Sequence, residues 1–415
     1  MKVLMTEGSS TSARQTLYAL GGRHTIDILD PSAVCQCRFS RYVRRWHRCP
    51  SYSQDPIDYL KFLNERLREE EYDVLFPTHE QVYLLARVQD QLRKLVGIAL
   101  PSFEAIDRMQ GKADFIRLLD ELQLPYPETS LVRTAEQLQS HNEYPYFVKG
   151  SHGTAGTAVW QVKDNDDMKT IADRLLGEGH LDGKSEILVQ SPGKGVLSII
   201  QLVFQNGQLV GSHCAQARAL GVGGSPMARV SVAHPNVVED MRRLGEALNW
   251  HGAFFVEYFY DEETGQPEYL EANPRIGETF NATLCGVNLC EQYLRVAVDE
   301  AVSPLVAGET GVRTHQGFMI LMAEAMQGGS RRRLFGEVSN AFRARENYDS
   351  SDDELTRMKD DWLSIIPASA VTMQLLAAPK LAKRIVDNTV RNYSLPERAA
   401  QIIREMSDEQ LQRCF

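Results

Sequence analysis

Two apolar segments joined by a short polar stretch restrict the fold most. Residues 254–260 read FFVEYFY and residues 269–273 read YLEAN, with 261–267 between them. Aromatic and β-branched residues at this density favour strands, and the connection has the length and composition of a turn, so an antiparallel pair is expected. Side chains alternate sides along a strand, so Glu271 and Asn273 point the same way and Glu257 can face them from the partner strand. Two carboxylates and an amide oxygen are hard ligands, suited to Mg²⁺ held together with nucleotide phosphates. Arg275 projects from the same face and could hold a phosphate or a reacting oxyanion. Surface glutamates beside an Asn-Pro turn would leave unexplained why polar groups line one side of strands this apolar.

The start of the chain alternates strand and helix. Strands are expected at 2–5, 25–29, 72–76 and 97–100. Helices are expected at 12–20, stopped by Gly21 and Gly22, around Leu60, Leu63 and Leu67, and at 82–92. Such alternation predicts a small open parallel sheet with helices on both faces, over residues 1–104. Ligands in these sheets lie beyond the carboxyl ends of the strands, which points at the loops 6–12 and 78–80. The Gly8 loop lacks the further glycines of a dinucleotide fingerprint.

A helical stretch over 103–122, broken near Gly111, leads to an extended Leu124-Pro-Tyr-Pro127 connector. Strands follow at 146–149, 157–162, 186–190, 197–204 and 209–213, with an Asn206-Gly207 hairpin turn. Lys149 ends an apolar strand and precedes a loop with Ser151, Gly153, Thr154 and Gly156. Either this is a β-hairpin whose glycines only serve the turn, or it folds over a polyphosphate: glycine lets backbone N–H groups approach phosphate oxygens, hydroxyls add donors, and the lysine neutralises charge. Arg218 and Arg229 flank a Gly221-Val-Gly223-Gly224 segment, which reads as a solvated loop or as a basic border for an anion. Residues 311–415 read as mainly helical, with Ser351-Asp-Asp-Glu354 as a capping box. The uncharged run 362–378 falls short of a spanning helix and is read as a buried helix starting near Pro367.

Length and composition fit a multi-domain globular protein: 415 residues, 43% hydrophobic and 24% charged. A net charge of −10 disfavours a nucleic-acid partner. Seven scattered cysteines fit a reducing, cytoplasmic setting, and the N-terminus lacks the apolar core of a signal peptide. Cys35, Cys37 and Cys49 near His47 match no ordinary zinc spacing and are read as plain thiols.

Glu257 followed by Glu271-Ala-Asn273-Pro-Arg275-Ile-Gly277 resembles the metal-binding ending of ATP-grasp enzymes. Phe147-Val-Lys149-Gly, with its glycine loop, resembles their phosphate clamp, and the helix opening at Lys112 with its proline connector resembles the segment whose lysine reaches the nucleotide. The resemblance runs over residues 1 to about 300. It implies an α/β pre-ATP-grasp domain at 1–104, a two-subdomain α+β ATP-grasp domain at 105–310 with its internal boundary near 190, and a helical region at 311–415. It implies ATP and Mg²⁺ as cofactors, with Mn²⁺ as a substitute. Residues Ile187-Leu-Val-Gln190-Ser191-Pro-Gly193 become the hinge against adenine. Members often carry glutamate at the position of Gln190.

The activity implied is ligation of a carboxylate to an amine through an acyl phosphate, releasing ADP and phosphate. Small-molecule acids and amines, amino acids among them, are the implied substrates. Neither a nucleic acid nor a membrane is an expected partner, and a homodimer is compatible with the helical region. Two rivals remain: a carboxylating enzyme of the biotin carboxylase or purine-pathway kind, for which no Ala-Met-Lys-Met carrier motif is present, and a nucleotide-binding regulator without turnover.

Overall fold

A computed structural model describes residues 1–151, 158–183 and 185–415. The first sheet is parallel, in the order β3-β2-β1-β4. It comprises β1 (Lys2–Met5), β2 (Thr25–Asp30), β3 (Val43–Arg48) and β4 (Val74–Phe76). Helix Thr11–Leu20 opens with Ser10 as its N-cap, whose side chain accepts from the Ala13 amide. Helix Pro56–Glu69 is capped by Asp55 and buries Tyr59, Leu60, Leu63 and Leu67, the stripe expected from helical spacing.

The second sheet is antiparallel, ordered β5-β8-β6-β7. Its strands are β5 (Thr129–Val132), β6 (Tyr146–Gly150), β7 (Val159–Val162) and β8 (Ile187–Gln190). The third sheet has seven strands: β9 (Val196–Gln205), β10 (Gln208–Leu220), β11 (Pro226–Val232), β12 (Gly252–Asp261), β13 (Gln266–Asn273), β14 (Arg313–His315) and β15 (Ser351–Asp353). They lie in the order β13-β12-β9-β10-β11-β14-β15, antiparallel except for the β14–β15 pair. Asn206 (φ 49°) and Gly207 (φ 79°) make the β9–β10 turn, both left-handed as a tight hairpin requires.

Several expectations need correction. Residues 97–100 form no strand: a single parallel bridge joins Gly97 to Val74 before the chain leaves towards Pro101. A side chain on Gly97 would meet the Ala297 carbonyl at 2.6 Å, so the chain is pressed against the helix end there. The helix expected at 82–92 is two pieces, Gln81–Ala86 and Gln89–Leu92. Strand β3 has no counterpart among the expected strands because its arginines hide the alternation; it is an edge strand, and Arg44 pairs with buried Asp27. Strand β10 runs well beyond the expected 209–213, and β11 is a further strand that the pattern does not announce.

Two corrections concern the C-terminal region. Ser351–Asp353 is not a cap but the edge strand β15, and Glu354 is fully buried. Helix Ile365–Ala377 does form within the uncharged run, yet the run is not buried: Trp362 and Met373 are 63% and 65% exposed. Elsewhere residues 317–412 are mainly helical, as expected. Among the described residues no helix is long and apolar enough to cross a membrane. All seven cysteines are buried and unbridged.

Candidate active site

Strands β12 and β13 pair so that Glu257 is the Cα partner of Glu271 and Phe255 that of Asn273. The hairpin therefore delivers the two carboxylates side by side, with the Asn273 amide two residues further on the same face. Burial, and next the charge of Glu271, push Glu257 above the usual carboxylate range, while Lys112, Arg275 and Lys149 pull it back. Lys112, at the start of helix Lys112–Glu121, lies 3.1 Å from Glu271 and is buried. The Lys112 amide donates to the Ser151 carbonyl at 2.9 Å, which fixes the end of β6 beside the helix start.

Lys149 completes the cationic side. Burial is the main force pushing it down to about 8, helped by Lys112 and opposed by Glu271 and Glu257. Its ammonium donates to Gln190 Oε1 at 2.5 Å. Lysines from a helix start and from β6 thus face carboxylates from β12 and β13.

Arg275 is buried and held from three sides. Its Nε donates to Glu80 at 3.1 Å, one Nη donates to Asn273 Oδ1 at 3.2 Å, and its guanidinium lies 5.0 Å from the Phe255 ring centroid. Gly277, two residues on, has φ +70°, and a Cβ there would meet the Phe255 ring at 2.6 Å. The motif glycine is therefore required by both conformation and space. Gly193 is similar in one respect: a Cβ would run into the Phe259 ring, so the strap from β8 to β9 lies directly on β12. Ser191 in that strap donates its amide to the Glu128 carbonyl at 2.9 Å.

A second network borders the site. Arg229 of β11 is buried, pairs with Glu278, and lies 3.3 Å from Glu354. Glu278 also accepts from Thr11 and, at 2.6 Å, from Gln316. Burial works against its charge, but Arg229 and these donors hold it below the usual carboxylate range. Glu354 accepts from Gln15 at 2.8 Å and Thr314 at 2.6 Å. Arg218 does not join this network; it sits nearer Arg313 and Asp349.

The structure thus brings together Glu257, Glu271, Asn273, Arg275, Lys112, Lys149 and Gln190. Gly153, Thr154 and Gly156 lie outside the described residues. Sequence reasoning passes over Glu278, although it directly follows the motif glycine, and misplaces Glu354, whose acid has no distinguishing context. Among the described residues no cluster of three or more His, Cys, Asp or Glu side chains is arranged for a metal. The donor set here is two carboxylates and an amide oxygen. That set fits a divalent cation that completes its shell with phosphate oxygens, and a cation would relieve the repulsion between the paired glutamates.

No protein-family model matches the chain. It is 25% identical over 228 residues to the carbamoyl phosphate synthase large chain of Pyrococcus furiosus, covering 52% of this chain and 21% of that one. It is 29% identical over 143 residues to acetyl-CoA carboxylase 2 of Oryza sativa, covering 32% and 6%. The chain therefore spans well under half the length of these curated relatives. Biotin carboxylase from Campylobacter jejuni, solved as a beta-gamma-ATP complex, superposes with a TM-score of 0.60 at 15% identity, covering 75% of this chain and 74% of that one. N5-carboxyaminoimidazole synthetase from Staphylococcus aureus, complexed with ADP, gives 0.58 at 16%, covering 79% and 85%. The L-amino acid ligase of Bacillus licheniformis gives 0.54 at 15%, covering 72% and 75%. The fold is that of the ATP-dependent carboxylate–amine ligases. The chain has an ATP-grasp fold.

Proposed function

We propose that this chain is an ATP- and Mg²⁺-dependent ligase that activates a carboxylate as an acyl phosphate and joins it to an amine. The observation that carries the reading is the opposition of Lys112 and Lys149 to the Glu257–Glu271 pair, with Asn273 and Arg275 on the same face. Glu257, Glu271 and Asn273 would hold Mg²⁺, which supplies charge neutralisation at the phosphate oxygens. Lys112 and Lys149 spread the remaining charge of the β- and γ-phosphates. Arg275, pinned by Glu80, offers its guanidinium to the substrate carboxylate or to charge developing in transfer. The carboxylate attacks the γ-phosphorus, ADP leaves, and the amine then displaces phosphate. No side chain is required as a covalent nucleophile. Ser151, Gly153, Thr154 and Gly156 are proposed to cover the phosphates, and Gln190, Ser191 and Gly193 to form the nucleotide hinge.

Domains at 1–104, 105–310 and 311–415, and a cytoplasmic setting, remain part of the same proposal. So does a homodimer, motivated by exposed Phe335, Phe342 and Met373 on the C-terminal helices. Light scattering at twice the chain mass would support the dimer, and a monomer at high concentration would remove it.

The products test the mechanism. ADP and orthophosphate are expected, because the cations converge on the terminal phosphates. With the right acid, hydroxylamine should trap the acyl phosphate as a hydroxamate. An ¹⁸O label in the carboxylate should appear in the released phosphate. Stoichiometric AMP and pyrophosphate would refute the mechanism even with the fold intact. A second reading is kept because two of the similar solved structures are a biotin carboxylase and an N5-carboxyaminoimidazole synthetase. Phosphate release that depends on bicarbonate, and not on amino acids, would favour it.

A further inference from the structure

Every polar atom of the Gln190 side chain is already engaged. Oε1 accepts from the Lys149 ammonium at 2.5 Å, and Nε2 donates to Thr129 Oγ1 at 2.9 Å. Thr129 cannot turn away, because its hydroxyl hydrogen is committed to the Pro127 carbonyl at 2.6 Å. Strand register imposes this arrangement. Gln190 in β8 is the Cα partner of Thr129 on one side and of Phe147 on the other. Lys149 lies two residues beyond Phe147, hence on the same face and within diagonal reach. At 1% exposure Gln190 is buried, with Oε1 turned to Lys149 and Nε2 to Thr129.

The position to which the family resemblance assigns an adenine contact therefore has another task. We infer that Gln190 is a positioning residue: its amide aims the Lys149 ammonium at the nucleotide phosphates and leaves the adenine amino group to other parts of the hinge. A neutral acceptor suits this task. Lys149 already faces Glu257, Glu271 and the like-charged Lys112, from the third sheet and from helix Lys112–Glu121. A carboxylate at position 190 would add an ion pair that competes with phosphate for the same ammonium. An amide gives direction without taking up the charge.

The inference rests on the proposal that this site binds a magnesium nucleotide, and one experiment separates the two. Dissociation constants of the full chain for Mg·ADP and Mg·IDP would be measured by isothermal titration. Inosine replaces the adenine amino group with an oxo group, so the ADP:IDP ratio reports how that group is read. Gln190→Met should weaken both nucleotides by a similar factor, about fivefold to tenfold, leaving the ratio unchanged. In a Lys149→Met background the same substitution should have little further effect, because the two residues act through one interaction. Gln190→Glu, which keeps the shape and a bond to Lys149, guards against simple misfolding. It too should weaken both nucleotides and leave the ratio alone. A ratio that collapses in Gln190→Met, or rises in Gln190→Glu, would overturn the positioning role while leaving nucleotide binding established. So would an undiminished effect in the Lys149→Met background. A wild-type chain that binds neither nucleotide would overturn the proposed function and this inference together.

Discussion

Arg275 donates to Glu80 at 3.1 Å, and that bond ties the end of β13 to the loop after β4 of the parallel sheet. Glu80 is itself buried and also accepts from Gln110 at 2.9 Å. The arginine proposed to face the reacting carboxylate is thus aimed by the first sheet. Glu80→Gln keeps the size of the side chain and removes its charge. Turnover should fall about tenfold with a smaller change in nucleotide affinity, since the loss concerns orientation in the transition state. Steady-state rates beside nucleotide titration would separate the two effects, and unchanged turnover would remove Glu80 from the mechanism.

The paired glutamates predict metal dependence. Glu271→Gln should preserve the fold and lower Mg²⁺-dependent nucleotide binding by on the order of 10- to 100-fold. Glu257→Gln should act in the same direction. Chelation of Mg²⁺ by EDTA should abolish turnover of the wild-type chain, and restored Mg²⁺ should return it. A well-folded Glu271→Gln protein with ordinary Mg²⁺ dependence would sink the metal assignment.

Lys149 gives a pH dependence of definite sign. Burial pushes it down to about 8, so it is charged below that pH and progressively neutral above it. Affinity for Mg·ADP should therefore fall as pH rises through about 8. Lys149→Arg keeps its charge throughout this range, and its affinity curve should be flatter whatever its starting level. Equal slopes for the two proteins would assign the pH effect to another group.

Glu354 carries a stability prediction. It is fully buried, lies 3.3 Å from Arg229, and accepts from Gln15, Thr314 and Gln316. Glu354→Ala leaves Arg229 with one fewer counter-charge and strands the Gln15 and Thr314 donors, while Gln316 keeps Glu278; the change should cost about 3 kcal/mol. Glu354→Gln keeps part of the hydrogen bonding and should cost less. Denaturant unfolding would show both, and an effect below about 1 kcal/mol would mean that water or Glu278 replaces the lost partner.

Three histidines predict acid sensitivity. His213, His251 and His315 are each pushed down from 6.5 to about 4, chiefly by burial. Between these two values the unfolded chain binds protons that the folded chain refuses, so stability must fall as pH drops through that window. Each contributes on the order of 1–3 kcal/mol at the acid end. Unfolding midpoints measured across the window should slope downward with falling pH, and His213→Gln should reduce the slope.

Much of the fold is legible in the sequence because local chemistry and global architecture agree. The FFVEYFY and YLEAN segments name their own strands, and the side-chain alternation places Glu257, Glu271 and Asn273 on one face. Gly111 and Lys112 mark a helix start, and Asn206-Gly207 marks a turn. What escapes has its signal outside its own segment. Strand β3 carries arginines because it is an edge, a fact set by its neighbours. Ser351-Asp-Asp-Glu354 fits a helix cap locally, but pairing with β14 and the buried charge of Arg229 override it. The bonds of Gln190 to Lys149 and Thr129 depend on three strands meeting in register, which its own segment does not announce.

Strand β15 enters the third sheet last in chain order, parallel to β14, and brings Glu354 with it. During synthesis the strands that surround Arg229 on its other side emerge first. A nascent chain that ends before residue 351 must therefore enclose a guanidinium missing one of its two carboxylates, or leave that edge open to water. The tail thus acts as a completion signal: the pocket border becomes electrostatically closed only once the C-terminal region has arrived. A chain cut at residue 310 to isolate the nucleotide-binding sheets would lose β14, β15 and Glu354 together, and would report on an unfinished site.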